Sequence, residues 1–178
     1  MDVGTGTGRI LELVGPNVRR AFGIDHSHDM LAVARAQLEK TGLHNCQVRY
    51  GDMYQLPFPA QAFEAVTINQ VLHYADHPAG VLLEAARVLR PGGILIISDL
   101  APHNLEDLRK NHAHRRLGFE ENEIKNWIET SGLRANRAIH LHGNPLTVSI
   151  WVGLNSSPEK KSRNRKSGLS KSRKRPTS

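Results

Sequence analysis

Cysteine is almost absent: Cys46 is the only one in 178 residues. A single thiol excludes an internal disulfide framework and any zinc site built from several cysteines, and it suggests a reducing compartment. Long apolar runs are absent too. No stretch approaches the roughly 18 apolar residues that a membrane-crossing helix needs. The first residues show no charged segment leading into an apolar one, so no secretory signal is expected and a cytoplasmic location is the default. No internal repeat is visible.

What is present is a basic total whose location matters. Lys and Arg number 24 against 17 Asp and Glu, a formal charge of +7. Nine of those cations lie among the last 21 residues, between Lys160 and Arg175, with Glu159 as the only acid there. Residues 1–157 therefore carry 15 basic and 16 acidic groups. This body has the length of one domain, and its balance gives no charge-based reason to expect nucleic acid. Residues 158–178 are mostly Ser, Lys, Arg and Asn with one leucine. Such a segment buries too little apolar surface to offset its ordering entropy, so a disordered basic tail is expected. Without interleaved aromatics, any nucleic-acid contact it makes is expected to be non-specific and salt-sensitive.

Along the body, short apolar runs alternate with helical patterns, the signature of an α/β domain. Arg9 to Val14 reads as a short helix and Ala21 to Asp25 as a strand ending on an acid. Ser27 is a good N-cap for a helix in which Met30, Leu31, Ala34 and Leu38 recur at helical spacing and which Gly42 stops. On that stripe Met30 reads as core. Cys46 to Tyr50 and Phe63 to Asn69 read as strands. Pro78 opens a helix through Leu82, Ala85 and Leu89, and Pro91-Gly92-Gly93 ends it. Ile94 to Asp99 is an apolar strand with an acid at its end, as in the middle of a parallel sheet. Residues 101–117 are polar and rich in His and Arg. Glu121 to Ser131 reads as a helix, and Arg134 to Leu141 with Thr147 to Leu154 as a closing strand pair.

The chemistry-bearing feature is the start. Met1-Asp2-Val3 runs straight into Gly4-Thr5-Gly6-Thr7-Gly8, so the first strand is expected to be clipped. A glycine turn after a strand lets the backbone approach a ligand, and Asp25, at the end of the next strand, is placed to bind a ribose hydroxyl pair. Dinucleotide enzymes want Gly-x-Gly-x-x-Gly, with a small third residue. Arg9 stands at that place, so that form is not met. Asp2 to Gly8 instead satisfies Asp-x-Gly-x-Gly-x-Gly. An acid there suits a ligand carrying an ammonium and a sulfonium and would repel a pyrophosphate.

Further motifs follow in order: Gly23-Ile-Asp25-x-Ser27-x-x-Met30, Gly51-Asp52-Met53, Leu56-Pro-Phe58, Phe63-Glu-Ala-Val66, Gln70-Val-Leu72-His73 and Leu89-Arg-Pro-Gly-Gly93. With the glycine loop, they make residues 2 to about 154 resemble the class I S-adenosylmethionine-dependent methyltransferases. The likeness is to the ubiquinone/menaquinone-methyltransferase branch. More narrowly, His112-Ala-His114-Arg-Arg116-Leu-Gly-Phe119 and Pro145 to Trp151 resemble the methyltransferase half of bacterial fusions that carry an ArsR-type winged-helix domain in front. Against that group, the chain reads as N-terminally truncated.

The resemblance implies a Rossmann-like α/β sandwich with a mostly parallel seven-stranded sheet and an antiparallel closing strand. It implies S-adenosyl-L-methionine as cofactor and a small-molecule methyl acceptor. It places Asp2, Gly4, Thr5, Gly6, Gly8, Asp25, His26, Met30, Gly51, Asp52, Met53, Asn69 and Gln70 at the cofactor. In the resemblance, Asp25 takes the ribose, Asp52 the adenine amino group, and the fourth segment (Leu56 to Phe58, Phe63 to Val66 and Gln70 to His73) lines the methionine part. Methyl transfer is an in-line displacement in which the protein mainly aligns the reactants. If the acceptor needs a base, His73 is the first candidate, with Tyr74 and His112 behind it. The pairs His26/His28, His112/His114 and His140/His142 lack further convergent ligands, so no metal site is expected. A lone cysteine also speaks against arsenite as acceptor. The alternative from another class is a truncated, weakly active or inactive cofactor-binding module.

Overall fold

The computed structural model describes residues 1–156; the expected boundary at 157 and the basic tail lie outside them. The sheet runs β3-β2-β1-β4-β5-β8-β6, with β7 also on β8. Its strands are β1 (Asp2–Val3), β2 (Ala21–Asp25), β3 (Cys46–Tyr50), β4 (Phe63–Asn69), β5 (Leu89–Leu100), β6 (Arg134–Ala135), β7 (Ile139–Leu141) and β8 (Val148–Leu154). The helices are α1 (Arg9–Val14), α2 (His28–Lys40), α3 (Pro78–Val88), α4 (Glu106–Asn111) and α5 (Glu121–Thr130). β1 to β5 pair in parallel, and β8 is antiparallel to β5. The Rossmann-like sandwich expected from the sequence is therefore present.

Most elements sit where their residues dictate. Ser27 caps α2, its Oγ accepting the Met30 amide at 3.3 Å. The buried stripe of α2 is Leu31, Ala34 and Leu38. Met30 is not part of it: it is 46% exposed, because it lies one residue off the stripe. That corrects the core reading. β1 is two residues long, yet it pairs on both sides, with Gly23-Ile24 of β2 and with Thr67-Ile68 of β4.

Three local differences have physical causes. Pro91-Gly92-Gly93 does not terminate α3 as a free turn. α3 stops at Val88, and the segment lies within β5 as an irregularity, the β4 pairing jumping from Phe63↔Leu89 to Ala65↔Ile94. Proline cannot donate to a ladder, and it is found in sheets at such bulges. Arg134 to Leu141 is broken into β6 and β7, both antiparallel to β8. They pair with opposite ends of β8 on the side away from β5, so eight strands fill the seven expected positions. Finally, α4 and a 3-10 turn at Leu72–Tyr74 arise in stretches without clear periodicity.

Two apolar clusters hold the layers. The larger lies between α3, α5 and one sheet face and includes Val66, Ile68, Leu95, Ile97, Ile124, Ile128 and Trp151. The smaller joins Leu11 of α1 and Leu31, Ala34 and Leu38 of α2 to Ala21, Cys46 and Val48 on the other face. Cys46 is a small buried residue there, and burial raises its thiol pKa. No helix among the described residues is long and apolar enough to cross a membrane. Ile97 is fully buried in the larger cluster. Ile97→Ala should lower unfolding stability by about 2–5 kcal/mol, read by urea titration; a loss near zero would show that this face is not the core.

Candidate cofactor and acceptor site

The carboxyl ends of parallel strands open on one edge of the sheet, where ligands bind in this architecture. Four segments converge there: the loop after β1, the β2–α2 junction, the turn after β3 and the loop after β4. They line a cavity of about 800 Å3 with Gly4, Gly6, Asp25, Met30, Asp52 and Gln70 among its walls.

Asp25 organises the cofactor side. Its Oδ2 accepts the Gly6 amide at 2.8 Å, and its Oδ1 accepts the Ser27 amide at 2.9 Å. One carboxylate thus ties the glycine turn to the start of α2. The Gly51 amide donates to the Asp25 carbonyl at 3.0 Å, which brings the turn after β3 alongside. In that turn, Asp52 Oδ1 accepts the Tyr54 amide at 2.8 Å. Gly6 has φ of +52°, and a Cβ added to it would meet nothing within 4 Å. The turn needs glycine for its backbone conformation, and the space above it is free.

The other wall hangs on Asp99. This fully buried carboxylate accepts the Leu72 amide at 3.0 Å, the Leu100 amide at 2.8 Å and a bond from His73 Nδ1 at 2.7 Å. The His73 carbonyl in turn accepts the Arg115 amide at 2.9 Å and the Arg116 amide at 3.3 Å. The His73 ring stacks on His114 at 4.0 Å, and Tyr74 packs against both rings. Burial lowers the pKa of His114. This cluster fixes Val71, Tyr74, Ala113 and Arg115 at the cavity wall.

The expected site residues divide in two. Gly4, Gly6, Asp25, His26, Met30, Gly51, Asp52, Met53 and Gln70 line the cavity. Asp2, Thr5, Gly8, Asn69 and His73 do not. Asp2 is buried, and its Oδ1 accepts the Thr67 hydroxyl of β4 at 2.6 Å. It is not among the residues that line the cavity. Thr5 is buried beneath the turn. Gly8 packs on Ala34 at the head of α1. Asn69 accepts the Ser98 hydroxyl. His73 is 2% exposed beneath the wall, so its ring is not placed as a base in the cavity. Arg115 is ion-paired to Asp76 at 2.7 Å, and Arg116 to Glu123 at 2.9 Å.

Sequence reasoning left Tyr50, Tyr54 and Ala113 unassigned. Tyr50 had a signal: it is the last residue of a strand, at the edge where strand ends open. Asp99 had one as well, as an acid closing an apolar strand. A carboxylate so placed needs donors, and the loop after β4 supplies them.

The comparisons with known proteins agree with this fold. A methyltransferase domain family model matches residues 1–97. A demethylmenaquinone methyltransferase of Geobacillus stearothermophilus is 35% identical over 114 residues, 62% of this chain and 48% of that protein. The uncharacterized methyltransferase YcgJ of Bacillus subtilis is 25% identical over 165 residues, 89% of this chain and 65% of that one. The crystal structure of YcgJ superposes with a TM-score of 0.75 at 19% identity, covering 88% of this chain and 91% of that chain. A SAM-dependent methyltransferase from Aquifex aeolicus gives 0.73 at 24% identity, covering 86% and 80%. The chain spans 48% of the first of these relatives and 65% of the second. The chain belongs to the methyltransferase domain family, and S-adenosylmethionine is the cofactor that goes with it. The residues present fit that group. The glycine turn leaves free space, and two carboxylates stand at successive strand ends beside it.

Asp2 yields a pH prediction. It is 2% exposed, and burial raises its pKa to about 6 from 3.8, with the Thr67 hydroxyl opposing. A raised acid pKa means the native state holds its proton more tightly than the unfolded chain. The associated stability is present below about pH 4 and is lost as pH rises through about 6. The loss amounts to roughly 3 kcal/mol. Asp2→Asn should therefore gain stability relative to the parent as pH is raised from 4 to 7, measured by chemical unfolding at each pH. A constant difference would mean that Asp2 does not titrate in this range.

Proposed function

We propose that the chain transfers a methyl group from S-adenosylmethionine to a small-molecule acceptor. The carrying observation is the Asp25 carboxylate, which joins the glycine turn to the end of β2 at the cavity wall. The cofactor supplies the methyl on a sulfonium, which is its own leaving group, so the protein's task is alignment. Asp25 accepts the ribose hydroxyls, and Gly6 keeps a side chain out of their way. Asp52 accepts the adenine amino group, with Met53 beside the ring. His26 and Met30 flank the same ligand from the start of α2. Gln70 faces the methionine part, and Val71, Tyr74, Ala113 and Arg115 form the acceptor wall.

A cavity of about 800 Å3 falls in the range of small-ligand sites, which favours a small acceptor over a macromolecule. The Arg115 and Arg116 charges are already met by Asp76 and Glu123. An anionic acceptor therefore gains little from them. His73 acts as a positioning residue: it links Asp99 to the loop after β4 and to the 113–116 segment.

Calorimetric titration with S-adenosylmethionine and S-adenosylhomocysteine tests the reading. Both should bind the folded protein, and Asp25→Asn should weaken binding by about tenfold or more, the scale of a lost hydrogen bond to a charged group. Absence of heat with the folded parent protein would overturn the proposal in favour of a fold that does not bind the cofactor. His73→Ala should leave cofactor affinity within about threefold while lowering the melting temperature and loosening amide exchange at Leu72 and Arg115. A cofactor affinity lost with His73 would place that residue on the cofactor side instead.

A further inference from the structure

One stretch of the chain hangs on a single buried side chain. Among the described residues between Leu100 and Phe119, only His114 is buried, at 8% exposure. The ends of the stretch are tied beside the sheet. The Ala101 amide donates to the Thr147 carbonyl and the Phe119 amide to the Leu100 carbonyl, each at 2.9 Å. Its middle meets the loop after β4 in two ways. The Arg115 and Arg116 amides donate to the His73 carbonyl, and the His114 ring stacks on the His73 ring with the planes 23° apart. Ala113, just before His114, has φ of +57°, a left-handed conformation that is unfavourable for a residue with a Cβ. Packing of His114 outweighs that strain, and release of His114 relieves it.

The cluster around His114 suits neutral rings. His114 Nδ1 is buried with no hydrogen-bond partner among the described residues, and so is His103 Nε2. His103 Nδ1 accepts the Leu105 amide at 3.2 Å. A protonated imidazole has two N–H donors and no acceptor. A proton on His114 therefore buries a donor that has no acceptor. A proton on His103 does the same, and also turns an N–H against the Leu105 N–H. The groups that face His114 are His73 and Tyr74 from the loop after β4, Asp99 from β5, and His103 and His112 from its own stretch. Asp99 is the one carboxylate among them, and the Leu72 and Leu100 amides and His73 already engage its oxygens. Close by, Arg115 is met by Asp76, Arg116 by Glu123, and His112 lies 3.7 Å from Asp107. Burial, reinforced by the neighbouring His73, lowers the pKa of His114, and burial lowers that of His103.

We propose that His114 is a pH-sensitive latch on the acceptor wall: with its ring neutral, residues 101–118 stay closed on the loop after β4, and uptake of a proton releases them. The inference rests on the reading of the cavity as a cofactor and acceptor site, because Tyr74, Ala113 and Arg115 line it. Tyr74 lies on one side of the stacked rings and Ala113 and Arg115 on the other, so opening there parts the acceptor wall and leaves the Asp25 side in place. In the open stretch His114 titrates near 6.5, its ordinary value, and in the closed stretch lower. The open state thus binds more protons. Closure is strongest above about pH 6.5 and weakens as pH falls through that value.

Amide hydrogen exchange of the full chain without ligand tests this between about pH 7.5 and about pH 5.5. Protection is taken relative to the unstructured exchange rate at the same pH. The Arg115 and Arg116 amides should lose protection by about tenfold across that range, the change that one histidine titrating near 6.5 in the open state produces. They should stay less protected than Ile97, which reports opening of the whole sheet. His114→Phe keeps a ring in the stack but takes up no proton, and should cut the change to about threefold or less. The parent profile needs no substitution, so the test stands if that variant fails to fold. A parent change below about threefold overturns the proposal, as does a change of about tenfold that His114→Phe retains. Arg115 protection equal to that of Ile97 at every pH overturns it too, because the stretch would then open only with the whole sheet. Titration with S-adenosylhomocysteine at about pH 7.5 reports the cofactor reading separately, since the exchange experiment contains no ligand.

Discussion

Two residues join the halves of this sheet. β2 and β3 form one side, and β4, β5 and β8 the other; Asp2 and Val3 of β1 pair with both. The site depends on that seam, because the loop leaving β1 faces the end of β2 on one side and the loop after β4 on the other. The seam has a cost. Its acid is buried and has its pKa pushed up to about 6. Neighbouring Val3 is fully buried in the larger apolar cluster, and burial of that kind holds the strand in place against the unfavourable carboxylate.

The cavity is then built by two carboxylates with contrasting surroundings. Asp25 binds backbone amides from two segments while remaining at the wall, so it retains capacity to accept more donors. Asp99 is fully enclosed and spends its oxygens on Leu72, His73 and Leu100. The first arrangement suits ligand binding, and the second suits support. The same residue type at the end of a strand thus serves either purpose, according to which loop reaches it first.

Coverage of the sheet is the other organising asymmetry. The α3–α5 face carries a continuous core from Val66 to Trp151. Among the described residues, the cluster on the opposite face lies at β2 and β3.

The sequence by itself determined the alternation of strands and helices, because hydrophobic periodicity, the Ser27 cap and the glycine turn are local signals. It also placed Asp25 and Asp52 correctly at strand ends, since the motif carries its own geometry. Tertiary structure alone decided which of those residues reach the cavity. Asp2 and His73 lie within motifs, yet Asp2 pairs with Thr67, His73 pairs with Asp99, and neither lines it. Met30 went the opposite way, counted on a helical stripe and found at the cavity wall. Tyr50, Tyr54 and Ala113 joined the site because strand order brings distant loops together. Local patterns record what a residue prefers, and the register of the sheet decides what it meets.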